Sequence, residues 1–475
     1  MRRSLPLTLL LLAGCMGAPE YRPAPVVLPA AYRETGPARA ATLPAIASRE
    51  AGRNEPVNFD TEFWRRLGDT TLTRLTDEAL RANLDVRAAQ ARVRGARAAR
   101  ARAVLDLTPD AVVGGGYTRR RLASASFPGV TGRLPDEDIW DAGFDAAWEI
   151  DLFGRLRHNV QAQDAFVAVS QEDLRGVLVT LTAELARAYF ELRGAQEQLA
   201  VAQRNAANQR HTLELTRDRL DAGRGTAFDT ERALAQLSVT LASIPAREAD
   251  VAAAQYRIGV LVGRSPTDVA AELGPVEGRT SLPDSVAVGS PDSVTRHRPD
   301  VAAAERFAAA QTALVSSAKA EYLPRLSVGG SVGYTAADLG GLGDAGTFRY
   351  AVGPVLSWPA LNLGRIHTGV NAARAREEEA RAEYGQVVLA AIEEVESALA
   401  RYRASRSRVA QLEEASAASE RAADLARMRF SEGVTDFLQV LDAERTQLES
   451  QDLLAQGRTE AATAYAALYK ALGGS

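Results

Sequence analysis

The 475-residue sequence holds one cysteine, four histidines, three methionines and few aromatics, 6% of its residues. A single cysteine excludes an internal disulfide and any multi-cysteine metal site. His158, His211, His297 and His367 lie far apart along the chain and give histidine chemistry little foundation. No sign of charge dominates either: 56 Lys plus Arg face 60 Asp plus Glu, for a formal charge of -4. That balance argues against a wholesale nucleic-acid binder, and 46% hydrophobic residues argue against disorder. Catalytic constellations are missing too. Glu377, Glu378 and Glu379 are consecutive and spread around a helix, while Glu393, Glu394 and Glu396 lack histidine partners. Gly114-Gly115-Gly116 has no lysine or hydroxyl signature of a phosphate loop. The expectation is a protein with no enzymatic role, no metal and no soluble cofactor.

At the amino terminus, Arg2 and Arg3 precede an apolar run from Leu5 to Ala13 that is too short to span a bilayer. The run ends in Leu12-Ala13-Gly14-Cys15, which resembles the lipobox of bacterial lipoproteins. Residues 1–14 then read as a signal peptide, and Cys15 as a lipidated first residue of the mature chain. One acyl chain anchors marginally and several anchor firmly. Residues 15–58, with prolines from Pro19 to Pro44, read as an extended tether.

The remainder is duplicated. Trp148 to Arg155 is echoed by Trp358 to Arg365, an offset of 210 residues. The same offset relates Arg219-Leu220-Asp221-Ala222-Gly223 to Arg429-Phe430-Ser431-Glu432-Gly433, and Gly263 to Gly473. Upstream, Asp85 and Pro109 pair with Asp300 and Pro324 at an offset of 215. Two repeats follow, 59–285 and 286–475.

Each repeat is mostly helical. Leu178, Leu181, Leu185, Ala188, Leu192, Ala195 and Leu199 alternate at spacings of three and four, a seam that faces a partner helix. Val388, Ile392, Val395, Leu399, Tyr402 and Val409 repeat it more loosely. The proline-free stretches Val160 to Leu220 and Val370 to Phe430 would each run about 90 Å at 1.5 Å per residue. Shorter helices are expected over Thr71 to Val104, Ala227 to Leu261 and Pro299 to Glu321, with a kink or local break at Pro245.

Between short and long helices the period switches to two. Trp140, Ala142, Phe144, Ala146 and Trp148 alternate with Asp141, Gly143, Asp145, Ala147 and Glu149, the tryptophans about 27 Å apart at 3.4 Å per residue. Strands are expected near 110–118, 139–149, 325–335 and 348–357, in two hairpins. Soluble sandwich strands alternate in the same way. In hydrocarbon, however, four strands leave two unsatisfied edges, so membrane strands require a barrel shared among subunits. Closure and symmetry alone permit two, three or four of them.

Cys15 with its leader, the paired Gly154-Arg155 and Gly364-Arg365, and Gly433-Val434-Thr435-Asp436-Phe437-Leu438-Gln439-Val440-Leu441-Asp442-Ala443-Glu444-Arg445 together resemble the outer membrane efflux protein family, in its lipoprotein branch. The resemblance implies a mixed α and β membrane protein of internally duplicated protomers. It implies a homotrimer, a shared trimeric 12-strand β-barrel joined to a long periplasmic α-helical barrel, located in the outer membrane with a lipid anchor. The implied function is the exit channel of a tripartite efflux system, with a periplasmic adaptor and an inner-membrane pump as partners. A structural or adaptor coiled-coil lipoprotein without channel activity is the alternative; it leaves the paired strands unexplained.

Three sets of residues become candidates. Gly223, Arg224 and Gly225, with Gly433, Val434 and Thr435, form turns ending the long helices, where the resemblance places adaptor contacts. Leu438 and Asp442, one helical turn apart, match the family's constriction, and copies of Asp442 would form a carboxylate ring; the plain alternative is an Asp442–Arg445 pair on a wet helix face. Asp141, Asp145 and Arg349 project from the polar side of their strands as pore-lining candidates. Arg119, Arg120 and Arg121 are expected at lipid headgroups or in outside water.

Overall fold

The computed structural model describes residues 28–35, 62–129, 131–275, 280–283, 286 and 288–474. Cys15 and most of the tether lie outside them. In chain order the elements are α1 (Glu62–Arg65), α2 (Thr70–Ala82), α3 (Leu84–Leu105), β1 (Asp110–Arg120), β2 (Glu137–Ile150), α4 (Arg155–Asp221), α5 (Ala227–Val262), α6 (Pro266–Glu272), α7 (Pro291–His297), α8 (Pro299–Ala320), β3 (Arg325–Ala336), β4 (Phe348–Ser357), α9 (Leu363–Ser431) and α10 (Phe437–Ala471). The chain divides into two compact units, each drawing segments from both repeats.

The first unit comprises residues 92–171 and 303–385 and carries one antiparallel sheet in the order β1-β2-β3-β4. Its helical segments pack through small residues, with Ala308 and Ala310 fully buried and Phe166 meeting Phe307 at 6.1 Å between ring centroids. Arg155, at the start of α4, holds Glu149 at the end of β2 through Nη2–Oε2 of 2.7 Å and Nε–Oε1 of 3.1 Å. The Ser317 hydroxyl of α8 donates to the Arg155 carbonyl at 2.9 Å.

The second unit holds residues 28–35, 62–91, 172–302 and 386–474 among those described. Leu72, Leu75 and Ala79, on one face of α2, are fully buried, as are Leu185, Leu192, Ile258 and Leu468. Phe63 stacks on Tyr465 at 5.0 Å, and Trp64 meets Tyr469 at 4.7 Å. Asp69 caps α2 by accepting from the Leu72 amide, and its other oxygen accepts from the Tyr189 hydroxyl at 2.7 Å. Burial and that carboxylate push the Tyr189 hydroxyl up to about 12.

The expected helix from Thr71 to Val104 is two helices broken at Asn83, whose backbone is extended at ψ 135°. The Asn83 amide donates to the Leu261 carbonyl at 2.9 Å, and its oxygen accepts from the Asp85 and Val86 amides. Arg298 occupies the same place in the second repeat, between α7 and α8, and its Nη1 donates to the Ala471 carbonyl at 2.7 Å. Leu261 and Ala471 are themselves duplicates. The glycines that end α5 and α10 sit against these breaks: a Cβ on Gly263 would lie 2.5 Å from the Ala82 carbonyl, and one on Gly473 3.1 Å from the Arg298 Cα. Both also have positive φ, so only glycine fits without strain.

Of the kink or local break expected at Pro245, the break is not there: α5 runs unbroken from Ala227 to Val262. One proline removes a single backbone bond, and its neighbour Arg247 is anchored by Asp452 at 2.8 Å and Gln198 at 2.9 Å.

Candidate functional site: a two-faced sheet and two paired hairpin turns

Alternation fixes which side each strand residue takes, and the register fixes its neighbours. Asp141 opposes Gly116 and Thr335, Gly143 opposes Gly114 and Gly333, Asp145 opposes Val112 and Ser331, and Gly333 opposes Arg349. This face is mostly small and polar, with Val112 and Val355 as its exposed apolar members. The other carries Val113, Phe144, Val332, Tyr350, Val352 and Leu356, all exposed. Aromatics mark both ends of the apolar band. Tyr117 and Trp140 pack at 4.7 Å and Tyr334 and Phe348 at 5.8 Å at one end. At the other, the Trp148 indole donates to the Leu107 carbonyl at 2.8 Å and the Trp358 indole to the Tyr322 carbonyl at 3.1 Å. An exposed apolar strip between aromatic ends, backed by a polar face, is the pattern of a lipid-facing β-wall. β1 and β4 have one neighbour each and leave two unpaired edges.

The three strand candidates share the polar face but have different partners. The Arg349 guanidinium reaches across β3 and grips Asp141 with both ends, Nη2–Oδ1 at 2.7 Å and Nε–Oδ2 at 2.9 Å. Thr335 donates to the same carboxylate at 2.7 Å. The crossing is open because Gly143 and Gly333 face each other beneath it; a Cβ on Gly143 would lie 3.3 Å from Arg349 Nη2. Asp145 is exposed and has no hydrogen-bond or ion-pair partner among the described residues. Sequence alone placed these charges on one face but could not pair them, because pairing needs the register. Arg119 and Arg120 instead meet acidic residues across their hairpin, Asp136 at 3.3 Å and Glu137 at 3.2 Å respectively, and Arg121 also pairs with Asp136.

In the second unit both turns end their helices in the same way. The Arg224 amide donates to the Arg219 carbonyl and the Gly223 amide to the Leu220 carbonyl, at 2.8 and 2.9 Å. The Val434 and Gly433 amides repeat this on Arg429 and Phe430, both at 2.9 Å. These are paired Schellman closures, with Gly223 at φ 68° and Gly433 at φ 77°. The structure brings the turns together: Arg219 donates to the Phe430 carbonyl and lies over the Phe430 ring at 4.4 Å. Leu213, Leu237, Phe430, Phe437 and Val440 close a buried cluster beneath. The sequence showed Arg219 only as part of an echo; the shared offset was the signal that could have singled it out.

Leu438 and Asp442 are both exposed on α10, and Asp442 forms no ion pair with Arg445 or with any other described residue. The plain alternative, an Asp442–Arg445 pair on the helix surface, is not among the ion pairs of the described residues. Two residues on, Glu444 is buried, accepting from Thr212 at 2.7 Å and from Arg427 at 3.0 Å. Gln439 takes a local role, with its side chain accepting from Thr435 and its amide donating to the Asp436 cap. Among the described residues no group of three or more His, Cys, Asp or Glu side chains could hold a metal, and no helix is long and apolar enough to cross a membrane.

The outer membrane efflux protein family model matches residues 75–264 and 291–474. Outer membrane protein OprJ of Pseudomonas aeruginosa is 30% identical over 438 residues, covering 90% of this chain and 89% of that protein. The probable outer membrane lipoprotein SilC of Salmonella typhimurium is 25% identical, over 94% of this chain and 93% of its own length. Among solved structures, the outer-membrane channel OprN superposes with a TM-score of 0.84 at 36% identity, over 97% of this chain and 99% of that one. With both repeats matched and a channel fold shared over nearly the whole length, the chain belongs to the outer membrane efflux protein family and is an outer-membrane efflux channel.

Proposed function

We propose that three copies of the chain close one twelve-strand barrel, each lending β1 to β4, and that the polar sheet face lines the water-filled exit of a tripartite efflux system. The single observation that carries this reading is the four-stranded sheet with an exposed apolar face and two open edges. In lipid those edges find backbone partners only on neighbouring copies. The long helices extend the conduit into the periplasm. The turns Gly223 to Gly225 and Gly433 to Thr435 receive a periplasmic adaptor, and an inner-membrane pump supplies the energy. The chain itself conducts passively, without catalysis or a soluble cofactor. Cys15 carries the lipid anchor, a reading supported by the leader sequence and by the lipoprotein name of the SilC relative. Copies of Leu438 and Asp442 form the constriction, an apolar collar beside a carboxylate ring.

The test combines oligomeric mass in detergent with conductance in planar bilayers. A trimer that forms pores is expected. A monomer without conductance would sink the shared barrel.

A further inference from the structure

Leu215 and Arg219 lie on the last turns of α4, and both are partnered within the chain. Leu215 packs against the buried cluster at the turns, and Arg219 clasps the Phe430 carbonyl and ring. Their duplicates on α9, 210 residues on, are Leu425 and Arg429. Leu425 is 57% exposed, with Met428 beside it at 55%. The Arg429 side chain is exposed and makes no hydrogen bond or ion pair among the described residues. The backbone around it is otherwise duplicated bond for bond, so the difference is not one of local fold. The acceptor is duplicated too. The Leu220 carbonyl, counterpart of the Phe430 carbonyl, takes the Gly223 amide and no other donor among the described residues, which leaves a lone pair open.

We propose that Leu425 and Arg429 bind the first-repeat hairpin of a second copy of this chain, the Arg429 guanidinium donating to that copy's Leu220 carbonyl. Inside one chain this contact joins first repeat to second repeat. Between chains the same contact runs head to tail, the type of interface that closes into a ring when its rotation divides the circle. The two clasps differ in strength. Phe430 offers an aromatic face under its arginine, while Leu220 offers an aliphatic side chain, so the contact between chains lacks the cation–π part. The seam between copies is therefore the one that parts first. This deepens the trimer reading and rests on its closure of copies into a ring.

Paired cysteine variants test it with a short bismaleimide. L220C/R429C is expected to link chain to chain into multimers on a denaturing gel. R219C/F430C, the matching pair within one chain, is expected to link without a change in mass. The wild type, whose one cysteine is Cys15, sets the background. R429A should keep its helical circular dichroism and weaken copy–copy association about tenfold, the scale of one charge-assisted hydrogen bond. An intact trimer in which L220C/R429C stays unlinked, or in which R429A associates as tightly as wild type, overturns the clasp alone. A monomeric wild type overturns the clasp and the shared barrel together.

Discussion

Arg298 is 5% exposed and still carries its charge, because Asp300, Glu394 and the Ala471 carbonyl receive its donors. Burial raises the Asp300 carboxyl, but the Arg298 guanidinium outweighs it and holds the group below the usual carboxylate range. A depressed carboxyl contributes stability above its unfolded value, about 3.9, and loses it as pH falls through the folded value. The stability gap between wild type and D300N, followed by urea unfolding, should thus be constant from pH 7 to 5 and close below about pH 4. R298A should cost about 2 kcal/mol at pH 7, since both carboxylates are half-exposed and rehydrate while the Ala471 carbonyl loses its partner. Equal unfolding midpoints would refute this. The sequence showed Asp85 and Asp300 as an echo and set a helix start at Pro299, but not the break at Asn83. Asn83 interrupts its helix with its side chain fixed on the Leu261 carbonyl, 178 positions away, which no local pattern encodes, whereas Pro299 marks the break at Arg298 locally.

At the scale of elements, strands were the most readable part of the chain. Strict alternation from Trp140 to Trp148 and from Leu326 to Tyr334 fixes both the period and the two faces, and the observed strands exceed the expected ones by one or two residues at some ends. The register stayed hidden, and with it the grip of Arg349 on Asp141 across two glycines. That grip sets the charge of the polar face: Asp141 is neutralised and Asp145 is not. Replacing Arg349 by Gln should therefore release a second carboxylate and raise cation over anion permeability, by about fivefold if one unit charge acts at roughly 4 Å in water. D145N should shift permeability the other way, and R349Q/D141N should return it near wild type. Reversal potentials in a salt gradient report all three, and identical values would show that this face does not meet the permeating ions. The long helices were readable from their proline-free stretches and heptad seams, and α5 shows the limit of reading an internal proline as a local break: Pro245 is absorbed by a helix that Arg247 anchors two residues on.

For the molecule as a whole, the duplication predicts more than either repeat alone, because each contact made once within the chain specifies a second that must be made elsewhere. Asp442 belongs at this scale. In one chain it is an exposed carboxylate without a partner among the described residues; on the proposed trimer reading, three copies would form a ring whose mutual repulsion opposes closure. D442A should lower that repulsion and reduce cation preference in single-channel recordings, with helical content unchanged; unaltered currents would place the constriction elsewhere. The family segment made Asp442 visible in the sequence. Its freedom from Arg445 needed coordinates, since a spacing of three on a helix fits pairing and exposure equally well.

The free sides of β1 and β4 also constrain how the protein is made. A newly exported chain carries four of the proposed twelve strands and no way to seal its two edges, so insertion should be cooperative in chain number rather than sequential. Its yield in vesicles should rise steeper than linearly with the amount of chain supplied, and a chain whose edge strand cannot pair should poison the assembly of intact ones.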